Sequence, residues 1–291
     1  MSTLVENVAK VTAAHAALKE AIAAKGVAVP DGAKLTDMPA LVEQIQTDPV
    51  PTNPRAVFSY DDATSIVVPK TMVVADMTSA TNLHSCFVGC TSLTSLTLPD
   101  GFGRMATDLT SCFNRCTSLK SLTLPDGFGR MAIKLDSVFY YCTSLTSLTL
   151  PDGFGRIAEN LYLCFYHCDS LTSLTLPDGF GRTATNMNSC IASCPALTSL
   201  TLPDGFGRTA TLTSSCLGYC PELTTITGNP NFKSSIDLSR STKLTHDSIM
   251  VVINGLQTVT SSKKLTLGST NLAKLTDEEK KIATDKGWTL A

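Results

Sequence analysis

The side chains most able to do chemistry in this chain include Cys164, His167 and Cys168, which lie within five residues. Two thiols and an imidazole at this spacing suggest zinc, but zinc sites usually have four ligands. The segments 26 residues before and after offer no second histidine or acid in register, so we predict no metal site. The four histidines lie in four different sequence contexts. Because no Ser/His/Asp or Cys/His set for nucleophilic catalysis is recognisable, the chain is predicted to be non-enzymatic and without a cofactor.

Eleven cysteines recur through the chain, mostly as pairs four residues apart, at intervals of 26 residues. Cys142 lacks a partner because Val138 occupies the corresponding position. Since an apolar side chain can replace a thiol there, we expect the cysteines to be buried small hydrophobes. Their odd number supports reduced, structural thiols over a disulfide framework.

A glycine motif in each interval is similar to a nucleotide-binding loop. Gly101, Gly103 and Ala106 match Gly-x-Gly-x-x-Ala, and the motif recurs every 26 residues. A dinucleotide site needs a full helix after the glycines, within a unit of about 30 residues or more. A 26-residue interval is too short for that unit, so we assign these glycines to turns.

Two rows of opposite charge follow from the same interval. The arginine row is Arg104, Arg130, Arg156, Arg182 and Arg208, and the aspartate row is Asp100, Asp126, Asp152, Asp178 and Asp204. Like charges about 4.8 Å apart repel by roughly 1 kcal/mol in water, which an adjacent opposite row can cancel. We interpret the rows as neutralising each other. The alternative is that the arginine edge binds an anionic polymer.

The 26-residue repeats are nearly identical in sequence in one half of their length and vary sharply in the other half. The variable outward positions read Thr110/Asn114/Arg115, Asp136/Tyr140/Tyr141, Tyr162/Tyr166/His167, Asn188/Ala192/Ser193 and Ser214/Gly218/Tyr219. Five of the six tyrosines lie here, and tyrosine supplies rigid, amphipathic contact area at binding surfaces. Drift at tolerant exposed positions after a recent duplication is the open alternative. The predicted ligand-binding residues are Arg115, Tyr140, Tyr141, Tyr162, Tyr166, His167 and Tyr219.

These side chains must be positioned by the constant half, which reads Ser-Leu-Thr-Ser-Leu-Thr-Leu-Pro-Asp-Gly-Phe-Gly-Arg. A fixed period in the twenties is typical of a leucine-rich-repeat solenoid, in which stacked coils share one core. Within a coil, Leu96–Leu98 predicts a strand and Leu98–Gly101 a type I turn. Leu109, Cys112, Phe113 and Cys116, at i, i+3, i+4 and i+7, predict a short helix. The predicted fold class is α/β, a right-handed solenoid of 26-residue coils with a parallel sheet.

Four regions are predicted along the chain. Residues 1–48 form a helical hairpin or a coiled-coil module, whose apolar seam at residues 4–22 offers a route to a homo-oligomer. Residues 49–62 form a proline-rich linker. The solenoid spans residues 63–228, with an irregular first strand near residues 65–69. Residues 229–291 form an α/β cap, in which helices are expected at 247–256 and after the capping-box pair Thr276 and Glu279. Trp288 is expected to seal the core.

Composition excludes several functional classes. The chain has 291 residues, 43% of them hydrophobic, and a net charge of -2. A near-neutral chain without a basic stripe is not expected to bind nucleic acid. No apolar run approaches the roughly 20 residues of a membrane span. The first six residues lack the features of a secretory signal, which favours the cytoplasm or a phage particle over signal-dependent secretion.

The coil pattern resembles the BspA-like leucine-rich repeats of bacterial surface proteins, also called the Treponema pallidum type. Phe113, Cys116 and Leu119 match the Phe-x-x-Cys-x-x-Leu spacing of that family, and Leu124-Pro125 matches its strand ending. The resemblance covers residues 63–228 and implies a non-enzymatic protein, since several members are implicated in adhesion to host proteins or cells. The flanks resemble phage and prophage tail-associated proteins of gut bacteria. Residues 21–45 are similar to a short helical module at the start of such proteins, and residues 265–288 to tails found after such repeats.

Together these observations predict a recognition or adhesion protein that binds a cell-surface glycan or protein through the variable, tyrosine-rich face. A phage or prophage structural component is the favoured setting. The alternative is an intracellular scaffold that binds a protein partner on the sheet face, which is lined by serine and threonine.

Overall fold

The structure, a computed structural model, describes residues 65–67 and 80–291. The predicted module at residues 1–48, its seam at 4–22 and the linker at 49–62 lie outside the described residues, so their predictions stay untested. Within the described residues, seven short parallel strands belong to the solenoid, and from β2 onward they recur every 26 residues. They are β1 (Ser65–Val67), β2 (Ser95–Thr97), β3 (Ser121–Thr123), β4 (Ser147–Thr149), β5 (Ser173–Thr175), β6 (Ser199–Leu202) and β7 (Thr225–Gly228).

Each repeated strand is short because only three or four residues alternate between the core and solvent. In β3, Leu122 is 2% exposed while Ser121 and Thr123 face outward. The predicted irregular first strand is confirmed, since Ser65 pairs with Ser95 in parallel register. Ser121 pairs in turn with Ser147, one full coil later. Identical residues therefore stack in columns along the solenoid.

The turn after each strand differs from the predicted one by a single residue. The backbone N–H of Phe102 donates to the carbonyl of Pro99 at 3.2 Å, so the turn spans Pro99–Phe102 and not Leu98–Gly101. Gly101 then stands at the third position with φ +82°, where a left-handed backbone favours glycine. This register was missed because Pro-Asp-Gly also satisfies a type I turn one residue earlier.

A second glycine in each turn is required by packing. Gly103 has φ +69°, and a Cβ there would lie 2.5 Å from Cδ2 of Phe128 in the next coil. Successive turn phenylalanines stack with ring centroids 6.1 Å apart for Phe102 and Phe128. A second column, which includes Phe113 and Phe139, has a spacing of 5.5 Å. The assignment of these glycines to turns agrees with this geometry.

The predicted short helix is wrong. Residues 109–116 form a series of tight turns in which Ser111 and Arg115 have φ of +58° and +60°. Alternate backbone N–H groups donate to the next coil, as Phe113 does to the carbonyl of Val138 at 2.9 Å. Because every fourth residue has a left-handed backbone, the side chains that point into the core have the same sequence spacing as on one face of a helix. The apolar pattern could not distinguish the two structures.

The parallel sheet is not continuous. Strands β1 to β4 form one sheet and β5 to β7 another. Leu148 in β4 is half-buried, whereas Leu122 and Leu174 are each 2% exposed. The two coils remain joined through their variable segments, where the N–H of Phe165 donates to the carbonyl of Cys190 at 2.7 Å. The uniform sheet expected from the repeat is therefore interrupted once, between β4 and β5.

The end of the chain forms a small cap with both helices and strands. Its elements are β8 (Ile236–Asp237), α1 (His246–Asn254), β9 (Lys263–Thr266), α2 (Gly268–Leu272), α3 (Asp277–Asp285) and β10 (Trp288–Leu290). Strand β9 lies between β10 and β8, and all pairings are parallel.

Several expectations for the cap are confirmed. The first predicted helix is α1, displaced by one or two residues at its ends. The capping box of Thr276 and Glu279 is present at the start of α3. Trp288 is 2% exposed, and its indole N–H donates to the carbonyl of Gln257 at 2.7 Å. Within residues 65–67 and 80–291 no helix is long and apolar enough to cross a membrane.

The cysteines form part of the core. All eleven are free and buried, and Val138 is buried in the position of the missing partner. The second thiol of a pair also bonds to the backbone, since Sγ of Cys142 donates to the carbonyl of Phe113 at 3.1 Å. Burial raises the pKa of the Cys216 thiol to about 12. The buried thiols are therefore inaccessible to solvent, and that of Cys216 is neutral at physiological pH.

Candidate functional site

Four predicted site residues from two adjacent coils form one aromatic cluster. The rings of Tyr140 and Tyr166 stack with centroids 5.7 Å apart and planes 12° apart. Tyr141 and His167 stack at 4.5 Å. Both pairs result from the repeat, because positions 26 residues apart lie beside each other in neighbouring coils. We call Tyr140, Tyr141, Tyr166 and His167 the aromatic platform.

The platform holds polar groups that are available to a ligand. In the part of the chain that the structure describes, no platform tyrosine hydroxyl is hydrogen-bonded to a protein group. Partial burial raises the pKa of the Tyr140 phenol, Tyr141 acts in the same direction, and the charge of Arg115 opposes them. Tyr140 is therefore a neutral phenol at physiological pH. Nδ1 of His167 lies 3.0 Å from Oδ1 of Asp169, which orients the imidazole.

One row of the variable face is held in a left-handed backbone. The φ angles are +60° at Arg115, +58° at Tyr141 and at His167, and +59° at Tyr219, while Gly89 takes this position in an earlier coil. This conformation costs roughly 1–2 kcal/mol for a residue with a Cβ. Such strain is concentrated at functional sites when the surrounding fold can support it. Large side chains thus occupy a row of positions in which glycine would cause less backbone strain.

The other predicted site residues lie around the platform. Arg115 is exposed, and its backbone N–H donates to the carbonyl of Tyr140 at 2.7 Å. Tyr162 is 43% exposed and makes no ring contact with the platform in the described region. Tyr219 is 58% exposed and lies two coils beyond His167 in the same row. The structure therefore brings four of the seven predicted residues into mutual ring contact.

A recess lies between the platform and Tyr219. It encloses about 280 Å³ and forms where the large side chains give way to Ala192, Ser193 and Gly218. Tyr166 lines it together with Tyr219. Asp237 and Arg240 from the cap also line it, and sequence reasoning missed both. Neither residue occupies a repeat position, so the 26-residue register carried no signal for them.

The arginine row forms an exposed edge on the solenoid. The first four side chains extend over the turn of the next coil, as Cγ of Arg104 lies 3.3 Å from where a Cβ of Gly127 would stand. Within residues 80–291, no arginine of this row forms an ion pair within 4.0 Å with an aspartate of the other row. Neutralisation of the two rows at longer range stays a prediction, as does binding of an anionic polymer by Arg104, Arg130, Arg156, Arg182 and Arg208.

The sheet face, the alternative binding surface, is lined by hydroxyl groups. Ser121 and Thr123 are exposed on β3. Farther along, the hydroxyls of Thr201 and Thr227 lie 3.1 Å apart. Along the described strands β2 to β7, this face is polar and carries no aromatic side chain, unlike the variable surface.

Comparison with known proteins identifies the repeat. The model of the BspA type leucine rich repeat region matches in six copies over residues 54–162 and 135–246, well over half of the chain. A solved leucine-rich repeat protein of T. pallidum is 20% identical with a TM-score of 0.47, and the match covers 66% of this chain and 83% of that one. A leucine-rich repeat protein of Bacteroides ovatus is 18% identical with a TM-score of 0.36, covering 64% of this chain and 46% of the other.

No curated protein sequence is significantly similar to the chain. The fold class predicted from the 26-residue period, an α/β repeat solenoid, is confirmed by the parallel strands and by the family match. The chain therefore belongs to the family of BspA-type leucine-rich repeat proteins.

Proposed function

We propose that this protein recognises a protein or glycan on a cell surface through the aromatic platform, as an adhesin in the broad sense. Repeat proteins of this family generally mediate protein binding or adhesion and are typically non-enzymatic. The platform supplies the contact surface for that activity, with Arg115 at its edge and Tyr162 and Tyr219 farther out. Tyrosine and arginine are the residue types that most often dominate binding energy at interfaces.

A single observation carries the proposal: stacked aromatic rings stand where the fold alone would favour glycine. Tyr141 and His167 are held at positive φ, and their rings contact each other at 4.5 Å. Because an earlier coil has Gly89 in this row with φ +74°, the fold does not require an aromatic side chain there. A surface role explains why the strained rings are present.

The setting proposed for this adhesin is a phage or prophage particle. Its support is the resemblance of residues 21–45 and 265–288 to tail-associated proteins. In that setting the seam at residues 4–22 would join several copies, and multivalent display would strengthen a weak contact through effective concentration. The expected mass in solution is then a multiple of 30.9 kDa.

The test is binding of the full chain to printed arrays of extracellular-matrix proteins and of glycans. The test variant is the double substitution Tyr140→Ala/Tyr141→Gly, which removes two platform rings while glycine keeps the left-handed position unstrained. Met131→Ala is the matched control, since Met131 is an exposed side chain of the same coil outside the variable positions. We expect the double variant to lose at least about tenfold in affinity for the strongest array target, and the control to bind normally.

Two outcomes would contradict the proposal. Wild-type protein that binds nothing on either array is not a surface-recognition protein of this kind. Undiminished binding by the double variant would move the site away from the platform. In that case substitutions of Thr123 on the sheet face and of Arg156 on the arginine edge would locate it.

A further inference from the structure

We infer that the recess beside the platform binds a single pyranose ring of a glycan. This inference rests on the proposed function and names the ligand class for one part of the same face. The recess lies between Tyr166 and Tyr219, is lined by small residues, and is bordered by Asp237 and Arg240.

The volume of the recess is suited to a ligand group the size of a single ring. Pockets that enclose drug-sized ligands begin at about 300 Å³, and this one encloses about 280 Å³. The gap exists because Ala192, Ser193 and Gly218 follow the aromatic pairs of the two preceding coils. A peptide side chain would also fit by volume, so the polar groups decide between the two.

The lining carries an excess of polar groups that have no protein partner. In the described region, the hydroxyls of Ser189, Ser193 and Ser215 form no hydrogen bond with another protein group, and neither do those of the two tyrosines. Each hydroxyl can donate one hydrogen bond and accept two. A ligand that matches this lining must itself carry several hydroxyls on a small frame, which is the chemistry of a sugar.

Two charged side chains from the cap complete the site. Oδ1 of Asp237 accepts hydrogen bonds from the N–H of Ser239 at 2.9 Å and from its hydroxyl at 2.7 Å. These bonds hold the carboxylate in place and leave Oδ2 to accept from the ligand. Within residues 80–291, the guanidinium of Arg240 has no ion-pair or hydrogen-bond partner. An acceptor and a donor of opposite charge suit a neutral ring with neighbouring hydroxyls.

Tyr166 and Tyr219 supply the apolar part of the site. Aromatic rings offer flat apolar faces, and a hydroxyl at the tip remains in contact with water. A pyranose ring has a similar division, since its C–H groups lie on its faces and its hydroxyls at its rim. The tyrosine rings of the recess can therefore pack against the C–H faces of a pyranose, while the polar groups at its rim meet the sugar hydroxyls.

The repeat itself provides a substitution that fills the recess. Ser193 has φ +54° and occupies the row in which Tyr141 and Tyr219 stand in other coils. Tyrosine is therefore compatible with the backbone at this position, and Ser193→Tyr would place its ring in the middle of the recess. Ser121→Tyr is the matched control, because it adds the same side chain at an exposed position of β3 outside the recess.

The experiment measures saturation-transfer NMR and titration calorimetry on the full chain with four methyl glycosides, those of mannose, galactose, fucose and N-acetylglucosamine. We expect at least one to bind with a dissociation constant of about 1 mM. Ser193→Tyr is expected to weaken that binding by about tenfold or more and Arg240→Ala by about fivefold, whereas Ser121→Tyr should change it by less than about twofold. Circular dichroism of each variant verifies that it is folded.

The inference is overturned if none of the four glycosides binds, or if folded Ser193→Tyr binds its glycoside as tightly as wild type does. The experiments distinguish failure of the pyranose site from failure of the proposed function, which is tested separately on the arrays. If Tyr140→Ala/Tyr141→Gly loses the array target while Ser193→Tyr keeps it and no glycoside binds, the platform is supported and the pyranose site is refuted. If Ser193→Tyr loses both the glycoside and the array target while the double variant keeps them, the pyranose site is supported and the platform is refuted.

Discussion

Two glycines of one turn should differ sharply in their tolerance of alanine. Gly153 and Gly155 have φ of +79° and +67°, so a Cβ costs each roughly 1–2 kcal/mol of backbone strain. At Gly153 the added Cβ would meet only the flexible side chain of Arg130, whose Cγ would be 3.4 Å away. At Gly155 it would lie 2.7 Å from Cδ2 of Phe180 and 2.9 Å from Cδ1 of Leu135, both buried.

The difference between the two variants isolates the packing contribution. Overpacking of a core costs about 1–3 kcal/mol, so Gly155→Ala should destabilise the protein by roughly 2–5 kcal/mol and Gly153→Ala by roughly 1–2 kcal/mol. Urea denaturation followed by circular dichroism measures both, with the shift in midpoint compared at a common slope. Equal losses for the two variants would refute the close approach between Gly155 and the Phe180 ring, and with it the packing role assigned to the second glycine of every turn.

Three further predictions follow from the buried thiols and the cap. Cys142→Ala should destabilise the protein by about 0.5–1.5 kcal/mol in urea denaturation, because the carbonyl of Phe113 loses the thiol donor and keeps only the N–H of Cys116, whereas a neutral effect would contradict that hydrogen bond. The eleven buried cysteines should not react with an aromatic disulfide reagent until denaturant is added, and rapid labelling of native protein would refute their burial. His246 contacts Asp247 at 3.2 Å and Glu279 at 2.8 Å, and these hydrogen bonds raise its pKa above 6.5. The stability that protonated His246 contributes should be fully present below pH 6.5 and be lost as pH rises through the raised pKa. The difference in melting temperature between wild type and His246→Gln should therefore shrink at alkaline pH. A difference that stays constant with pH would exclude this linkage.

The sequence predicted those parts of the fold that depend on period and on apolar alternation. Identical leucines 26 residues apart, such as Leu174 and Leu200, had to stack in one core, and the family could be recognised from Phe113 and Cys116 with their spacing. The same stacking brought Tyr140 beside Tyr166. These predictions depend only on which residues occupy equivalent positions in successive coils.

The remaining features depend on where backbone hydrogen bonds go, and apolar spacing does not encode that. A left-handed residue at Ser111 and at Arg115 gives the same inward pattern as a helix, so the helix prediction was wrong. The recess was missed because Asp237 and Arg240 reach it from the cap, whose register is independent of the repeat. The break between β4 and β5 was also missed, since both strands have the same Ser-Leu-Thr sequence as their neighbours.

That break has a consequence for the way the solenoid unfolds. The stability of a repeat protein is approximately a sum of terms for single coils and for contacts between neighbours. The interface between β4 and β5 lacks the strand ladder, so its coupling is weaker than that of the interfaces on either side. Under mechanical load, or during slow amide exchange, the solenoid should separate there into two cooperative blocks. Tyr166 lies in the coil of β4 and Ser193 in the coil of β5, and both line the recess. A ligand bound there would hold the two blocks together and make them unfold as one.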